Sequence, residues 1–293
     1  MTKPSQSFGP ALKKIRENKG YTQEIVARNA MNRSTYTRFE SEDITTNITK
    51  YFQILTNLDM SHKEFFYIHN SYQLSKKEAI LFQFNSITTN SDVKLLKKLK
   101  AEAECYLANY DDPIIKDIVE VYNASLTLAE TNDLKKACKH AEKVWFRLEK
   151  MDKWYLTELR LLNNILFFFP AETSLFISKR ALVDLNYYRH FEEASKLQMA
   201  FSMNLIFLLM EDQDFKQAFI QIEELIIKSK KESKYIMLAV LYVRKGIILE
   251  KTCTDKEGDH FIQKGLKLLE AIEEWDIKKE LEQELDYYIK NKK

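Results

Sequence analysis

Between Asn32 and Glu40 the chain reads NRSTYTRFE, which sets two guanidinium groups, Arg33 and Arg38, among the hydroxyls of Ser34, Thr35 and Thr37. Tyr36 and Phe39 stand three apart and share a helical face, so the polar set is left on the outside. Cations that meet phosphates, next to short hydroxyl and fork-shaped donors that reach base edges, are what a helix entering the major groove of DNA requires. Gln23, at the start of the preceding helix, is placed to touch a phosphate with its amide beside the helix N-terminal N–H groups. The same surface is also open to a plainer reading, as the solvated face of a small helical domain.

A second group of polar side chains lies far downstream, embedded in apolar helices. Glu158, Arg160, Asn163 and Asn164 interrupt WYLTELRLLNNILFFF; Gln198 and Asn204 interrupt LQMAFSMNLIFLLM; Tyr242, Arg244 and Lys245 interrupt YIMLAVLYVRKGIIL; Asn123 has a comparable place in the first such helix. An Asn amide satisfies one N–H and one C=O of an extended peptide at once, and an Arg fork pairs with a carboxylate. Phe167, Phe168 and Phe201 would supply pockets for apolar side chains. The expected peptide contacts are therefore Arg160, Asn163, Asn164, Phe167, Gln198, Asn204, Tyr242 and Arg244. Taken singly, each is equally at home as a helix-bridging or solvated residue.

Other chemistry is missing from the sequence. The five glycines form neither a GxGxxG nor a GxxxxGK[ST] phosphate cradle, and none of the five histidines has HExxH spacing. Cys105, Cys138 and Cys253 are isolated, which fits neither a disulfide framework nor a zinc site and suits a reducing compartment. One of them could act as a redox sensor if its local field favoured the thiolate. No catalytic residue, metal ligand or cofactor is expected, and the chain reads as a non-enzyme.

The elements that must position these residues are helices. Only 5 Gly and 4 Pro occur in 293 residues, too few for a sheet with many tight turns, so the fold class is all-α. The N-terminus has no signal-like apolar core, and the most apolar run, LLNNILFFFP, is half a membrane span in length and broken by two Asn. A cytoplasmic protein with no membrane partner is expected. Residues 1–70 hold 10 Lys and Arg against 7 Asp and Glu, whereas residues 71–293 hold 35 against 36, so the basic excess falls at the front.

Residues 7–42 divide into three short helices. Phe8, Leu12 and Ile15 form one face of the first, with Gly20 as its stop; Thr22 caps the second, with Ile25, Val26 and Ala27 on its buried side; Asn32 caps the third. The wording LKKIRENKGYTQEIVARNAMNRSTYTRFE resembles the helix-turn-helix of the Xre class. Thr22 and Gln23 open helix two, Ala27 is the small crossing residue and Asn32 is the polar cap. The turn between the helices is one residue short and lacks the customary Gly. That turn, the RSTYTRFE wording and the closing pattern Ile48, Phe52, Leu55, Leu58, Phe65 are similar to the Rgg/GadR/MutR regulators of Gram-positive bacteria, within the RRNPP superfamily.

From about residue 72 a repeat appears. Ala137, Ser178, Ala218 and Gly258 recur at spacings of 41, 40 and 40, each preceded four residues earlier by an N-cap type: Asp133, Ser174, Asp214 or Thr254. Leu128, Phe169, Leu209 and Leu249 end the preceding helices, and Ala141, Leu182, Ile222 and Ile262 follow. One hairpin cannot bury both its faces, so such units stack into a solenoid. Its first helices, near 114–130, 154–169, 191–211 and 234–251, would line the concave face. Helices at 76–88 and 92–109 would form a further hairpin, and the charged last helix a cap. Two domains are expected, a DNA-binding one at 1–70 and a repeat domain at 71–293.

The resemblance implies a degenerate tetratricopeptide-like domain that binds short peptide pheromones and dimerises. It further implies a transcriptional regulator bound to palindromic double-stranded DNA as a homodimer, with RNA polymerase as an additional candidate partner. Two other readings stay open at this stage: a regulator whose repeat domain serves only dimerisation or a protein partner, and a scaffold whose first domain has lost DNA binding.

Overall fold

The computed structural model describes residues 8–87, 92–252 and 257–290. They form sixteen α-helices, and no strand occurs among the described residues. The chain divides into two compact units after Ser86.

The first unit holds α1 (Phe8–Asn18), α2 (Gln23–Ala27), α3 (Arg33–Glu40), α4 (Ile48–Asn57), α5 (His62–His69) and α6 (Lys76–Ser86). Four of these helices start alike: Thr22, Asn32, Asn47 and Ser61 each accept a hydrogen bond from the backbone N–H three residues on. Each such cap contributes about 1 kcal/mol. Ser75 and Glu78 form a reciprocal capping box ahead of α6. Gly20 ends α1 at φ +70°, a conformation that a Cβ would oppose.

Leu12, Val26, Tyr36, Ile54, Leu58 and Phe65 are the fully buried side chains of this unit. Ile25, expected on the buried side of α2, is exposed (43%), and so are Ile48 (63%) and Phe52 (48%) of the closing pattern. On α4 the inward stripe runs through Tyr51, Ile54 and Leu55 to Leu58. Ile48 and Phe52 therefore sit to one side of it, because a helical face about 100° wide admits one i, i+3/i+4 series and not its neighbour.

The second unit begins with α7 (Val93–Leu107), which packs on α8 (Pro113–Thr131). Next come α9 (Leu134–Leu148), α10 (Leu156–Ile165, extended by a 3-10 turn to Phe168), α11 (Ala171–Asn186), α12 (Glu192–Glu211), α13 (Phe215–Lys231), α14 (Tyr235–Thr252), α15 (Glu257–Ala271) and α16 (Trp275–Leu285). α8 packs on α9, α12 on α13 and α14 on α15, while α10 touches both α8 and α12. Thus α8, α10 and α12, the first helices of successive hairpins, lie side by side. The helix at 76–86, expected to pair with the next one, groups with the first unit.

The small-residue column is buried throughout, at Ala137, Ser178, Ala218 and Gly258. Two of the expected caps hold: Asp133 accepts from Lys136 N–H and Asp214 from Gln217 N–H. Ser174 does not cap. It lies inside α11, one turn past Pro170, and its buried hydroxyl donates to the Leu166 carbonyl at 2.7 Å. Pro170 starts the helix a turn early because its fixed φ suits a helix entrance and it has no N–H to leave unpaired. Thr254, like Cys253, falls outside the described residues.

Candidate nucleic-acid interface and ligand-binding face

The third helix of the first unit is fixed from beneath by a charged network. Arg16 of α1 donates from Nε to Glu40 Oε1 at 2.6 Å and from Nη2 to Glu40 Oε2 at 3.0 Å, and from Nη1 to the Tyr21 carbonyl at 2.9 Å. Gln23 joins it: its Nε2 donates to Glu40 Oε2 at 2.8 Å, and its Oε1 accepts from the Thr37 hydroxyl at 2.9 Å. The Gln23 amide, expected to meet a phosphate, is here a brace between α2 and α3. The hydrogen bonds that Arg16 donates to Glu40 raise the Arg16 pKa above its ordinary value against the opposing effect of burial.

The turn between α2 and α3 is tied down as well. Asn29 adopts φ +61°, so an Asn fills the left-handed position where the customary Gly is missing. Asn57 of α4 donates to the carbonyls of Val26 and Arg28 at 2.8 and 2.7 Å, which satisfies the end of α2. On the outer face of α3, Arg33, Ser34, Thr37 and Arg38 are exposed and Thr35 is half-buried. Ser34 donates to Asn32 Oδ1 at 3.0 Å, within reach of a new acceptor by rotation. Arg33 and Arg38 have no acidic partner among the described residues. Two free cations on a braced helix form a surface suited to phosphates and guanine edges.

In the second unit the face shared by α10, α12 and α14 brings together five of the eight residues expected to meet a peptide. Arg160 lies 3.7 Å from Glu193; Asn204 Nδ2 donates to Asn163 Oδ1 at 3.1 Å; the Phe167 ring meets Phe207 edge-on at 5.7 Å. Arg244 donates from Nη1 to the Met203 carbonyl at 3.2 Å, beside Asn204, and its guanidinium lies 5.4 Å from the Phe207 ring centre. It is also held by Glu284 of α16, Nε to Oε1 at 2.8 Å and Nη2 to Oε2 at 3.1 Å.

The other three are placed elsewhere. Asn164 donates back to the Arg160 carbonyl of its own helix. Gln198 faces the outer helices, between Asn186 of α11 and Lys228 of α13. Tyr242 is buried with its ring 6.0 Å from Phe261 of α15, on the side of α14 turned towards its hairpin partner. Phe168 and Phe201 belong to the core, Glu158 is buried near Asp117, and Lys245 pairs with Glu223 at 2.6 Å. Burial raises the Asp117 pKa although Arg147 opposes it. The Cys138 thiol is likewise pushed up, by burial and then by Glu142.

Sequence reasoning missed Glu40, Phe207 and Glu284. Arg16 and Glu40 are 24 residues apart and carry no local signal, whereas Glu284 stands 40 residues after Arg244, one repeat on, and the repeat period could have pointed to it. Among the described residues no cluster of metal-ligating side chains occurs, and no helix is long and apolar enough to cross a membrane.

No curated protein matches the sequence. Among solved structures, a protein from Listeria monocytogenes EGD-e superposes with a TM-score of 0.77 at 19% identity, covering 98% of each chain. The SHP pheromone receptor Rgg2 of Streptococcus dysgalactiae follows at 0.73 and 16% identity, over 96% of this chain and 100% of that one. PlcR of Bacillus thuringiensis, solved with the peptide PapR7 and DNA, gives 0.66 and 16% identity over 94% and 98%. At such identities the likeness speaks for the fold. The family model described as HTH-type transcriptional regulator Rgg, C-terminal domain, matches residues 93–283, and the chain therefore belongs to the Rgg family.

Proposed function

We propose that this chain is a cytoplasmic, homodimeric transcriptional regulator. It binds promoter DNA through the outer face of α3, under the control of a short peptide held on the α10–α12–α14 face. The observation that carries the first half is the pairing of two exposed, unpartnered guanidinium groups, Arg33 and Arg38, with a buried brace of Arg16, Glu40 and Gln23 that keeps their helix in place. Ser34 and Thr35 supply the short donors between them, and Thr37 is partly committed to the brace. The second half is supported by the cluster of Arg160, Asn163, Phe167 and Asn204 on one face, and by the fold shared with proteins solved with a peptide and DNA.

Peptide binding would act by population shift, altering the preferred placement of the two DNA-binding units of a dimer. The test is selection of binding sites from a random duplex pool with the full-length protein. An enriched inverted repeat, bound by the parent and lost with Arg33→Ala and Arg38→Ala, is expected. Failure to enrich any sequence would overturn the DNA-binding reading.

A further inference from the structure

Thr37 is exposed on the outer face of α3, yet its hydroxyl is bonded inward twice. Oγ1 lies 2.9 Å from Gln23 Oε1 of α2 and 3.0 Å from the Arg33 carbonyl one turn back. A hydroxyl has a single hydrogen, so these two acceptors share it and no donor is left for a partner outside.

The acceptor on α2 is fixed in its turn. The Arg16 fork takes both oxygens of Glu40, and Glu40 Oε2 also accepts from Gln23 Nε2 at 2.8 Å. An amide that spends its NH2 on a carboxylate must turn its oxygen the other way, and there it meets Thr37. The Thr37 hydroxyl is thus oriented by a chain of polar contacts that runs from Arg16 through Glu40 and Gln23 across three helices. Two groups stand on the Thr Cβ, and a helix leaves χ1 few values. With Oγ1 held against Gln23 and the Arg33 carbonyl, the Cγ2 methyl is the group left for the outer face. Ser34 differs, because its hydroxyl bonds only the exposed cap residue Asn32 and can turn to a new acceptor.

We propose that Thr37 selects a thymine, by laying its methyl group against the thymine C5-methyl in the major groove. This rests on the reading that α3 enters the major groove of DNA. Thymine is the one base of unmodified DNA that presents an apolar group there, and a Thr methyl is a natural partner for it. Turning the hydroxyl outward instead would break both of its inner bonds and leave Gln23 Oε1 without a donor. One new bond to a base edge would return little for that loss. Arg33 precedes Thr37 by four residues and shares its face of the helix. A helical turn advances ~5.4 Å and a base-pair step ~3.4 Å, so the thymine lies about one or two base pairs from the Arg33 contact.

The experiment uses the full-length protein and the duplex enriched by selection. Each thymine is replaced in turn by 2′-deoxyuridine, which pairs identically and lacks only the C5-methyl, and affinity is read by anisotropy. One thymine in each half-site is expected to show about a fourfold loss, the effect of one methyl group left uncovered. Thr37→Ser keeps the hydroxyl and both of its bonds but lacks the methyl. It should bind the thymine duplex about fourfold more weakly than the parent and no longer distinguish thymine from uracil at that position. Thr37→Val keeps a methyl and loses the hydroxyl, and it should still distinguish them. A parent protein indifferent to uridine at every position would overturn the proposal, a result that needs no variant to fold. So would a thymine preference that survives in Thr37→Ser, or one that is lost in Thr37→Val, which would assign the reading to the hydroxyl. In each of these cases the protein still binds its duplex and the DNA-binding reading stands. Failure to enrich any duplex is the separate result that removes that reading and the thymine contact with it.

Discussion

The Arg16 guanidinium and the Glu40 carboxylate face each other as a two-bond fork, at 2.6 and 3.0 Å, with side chains 10% and 2% exposed. The pair joins the first helix of the first unit to the end of its third. A buried pair of this kind is an uncertain source of net stability when intact, but losing one partner strands a charge, at a cost of about 3–5 kcal/mol. Glu40→Ala is expected to lower the unfolding free energy of the first unit by that order, read from denaturant titration. The double variant Arg16→Met, Glu40→Leu should recover most of the loss in circular dichroism melts. A single variant as stable as the parent would show that the pair is dispensable.

Arg33 and Arg38 have no role in holding the fold, so their removal separates binding from stability. Each alanine variant should keep its helicity and melting temperature and lose DNA affinity. A contact to a base edge is worth about 1–3 kcal/mol, and a contact to a phosphate reduces the salt slope by about one. Anisotropy titrations of the selected duplex at several salt concentrations distinguish these outcomes. Unchanged affinity for both variants would remove α3 from the interface.

The closest helix pairing in the second unit depends on glycine. A Cβ placed on Gly246 of α14 would meet the Gly258 carbonyl oxygen of α15 at 2.5 Å, a backbone atom with little room to retreat. Gly246→Ala is therefore expected to force α14 and α15 apart and to destabilise the unit by about 1–3 kcal/mol, the usual cost of overpacking. A variant that melted with the parent would contradict the close approach.

Glu120 sits between His140 Nδ1 at 2.6 Å and Lys143 Nζ at 2.9 Å. Burial works to raise its pKa, but the bonds from His140 and Lys143 outweigh it and hold the carboxyl below the ordinary range. A lowered carboxylate pKa stabilises the fold above the unfolded value, about 4.3, and that part is lost as pH falls through the lowered folded-state value. Glu120→Gln should thus be less stable than the parent at neutral pH, and the two melting curves should converge in acid. A gap that persisted unchanged below pH about 3 would mean that the effect is not carried by the charge.

Much of the architecture was legible in the chain. The caps Thr22, Asn32, Asp133 and Asp214 were readable because a capping bond spans three residues, and the small column from Ala137 to Gly258 because stacked hairpins repeat the same contact every 40 or so residues. Ser174 does not cap because Pro170, four residues earlier, takes the helix start. The exposure of Ile48 and Phe52 is not legible from the apolar pattern, which does not say which of two neighbouring stripes faces inward, and Tyr51, an amphipathic residue, lies on the stripe that does.

By itself, then, the sequence determined the all-α class, the helix-turn-helix with its shortened turn, and the repeat. All of these follow from interactions between residues near in the chain or equivalent by period. Tertiary structure alone decided that Gln23 braces rather than reaches outward, that Tyr242 and Arg244 point to opposite sides of one helix, and that Arg244 closes on Glu284. Each of those outcomes depends on which partner lies across the helix interface. A side chain with several bonding options is committed by the neighbour that packing brings to it, and no local pattern records that neighbour.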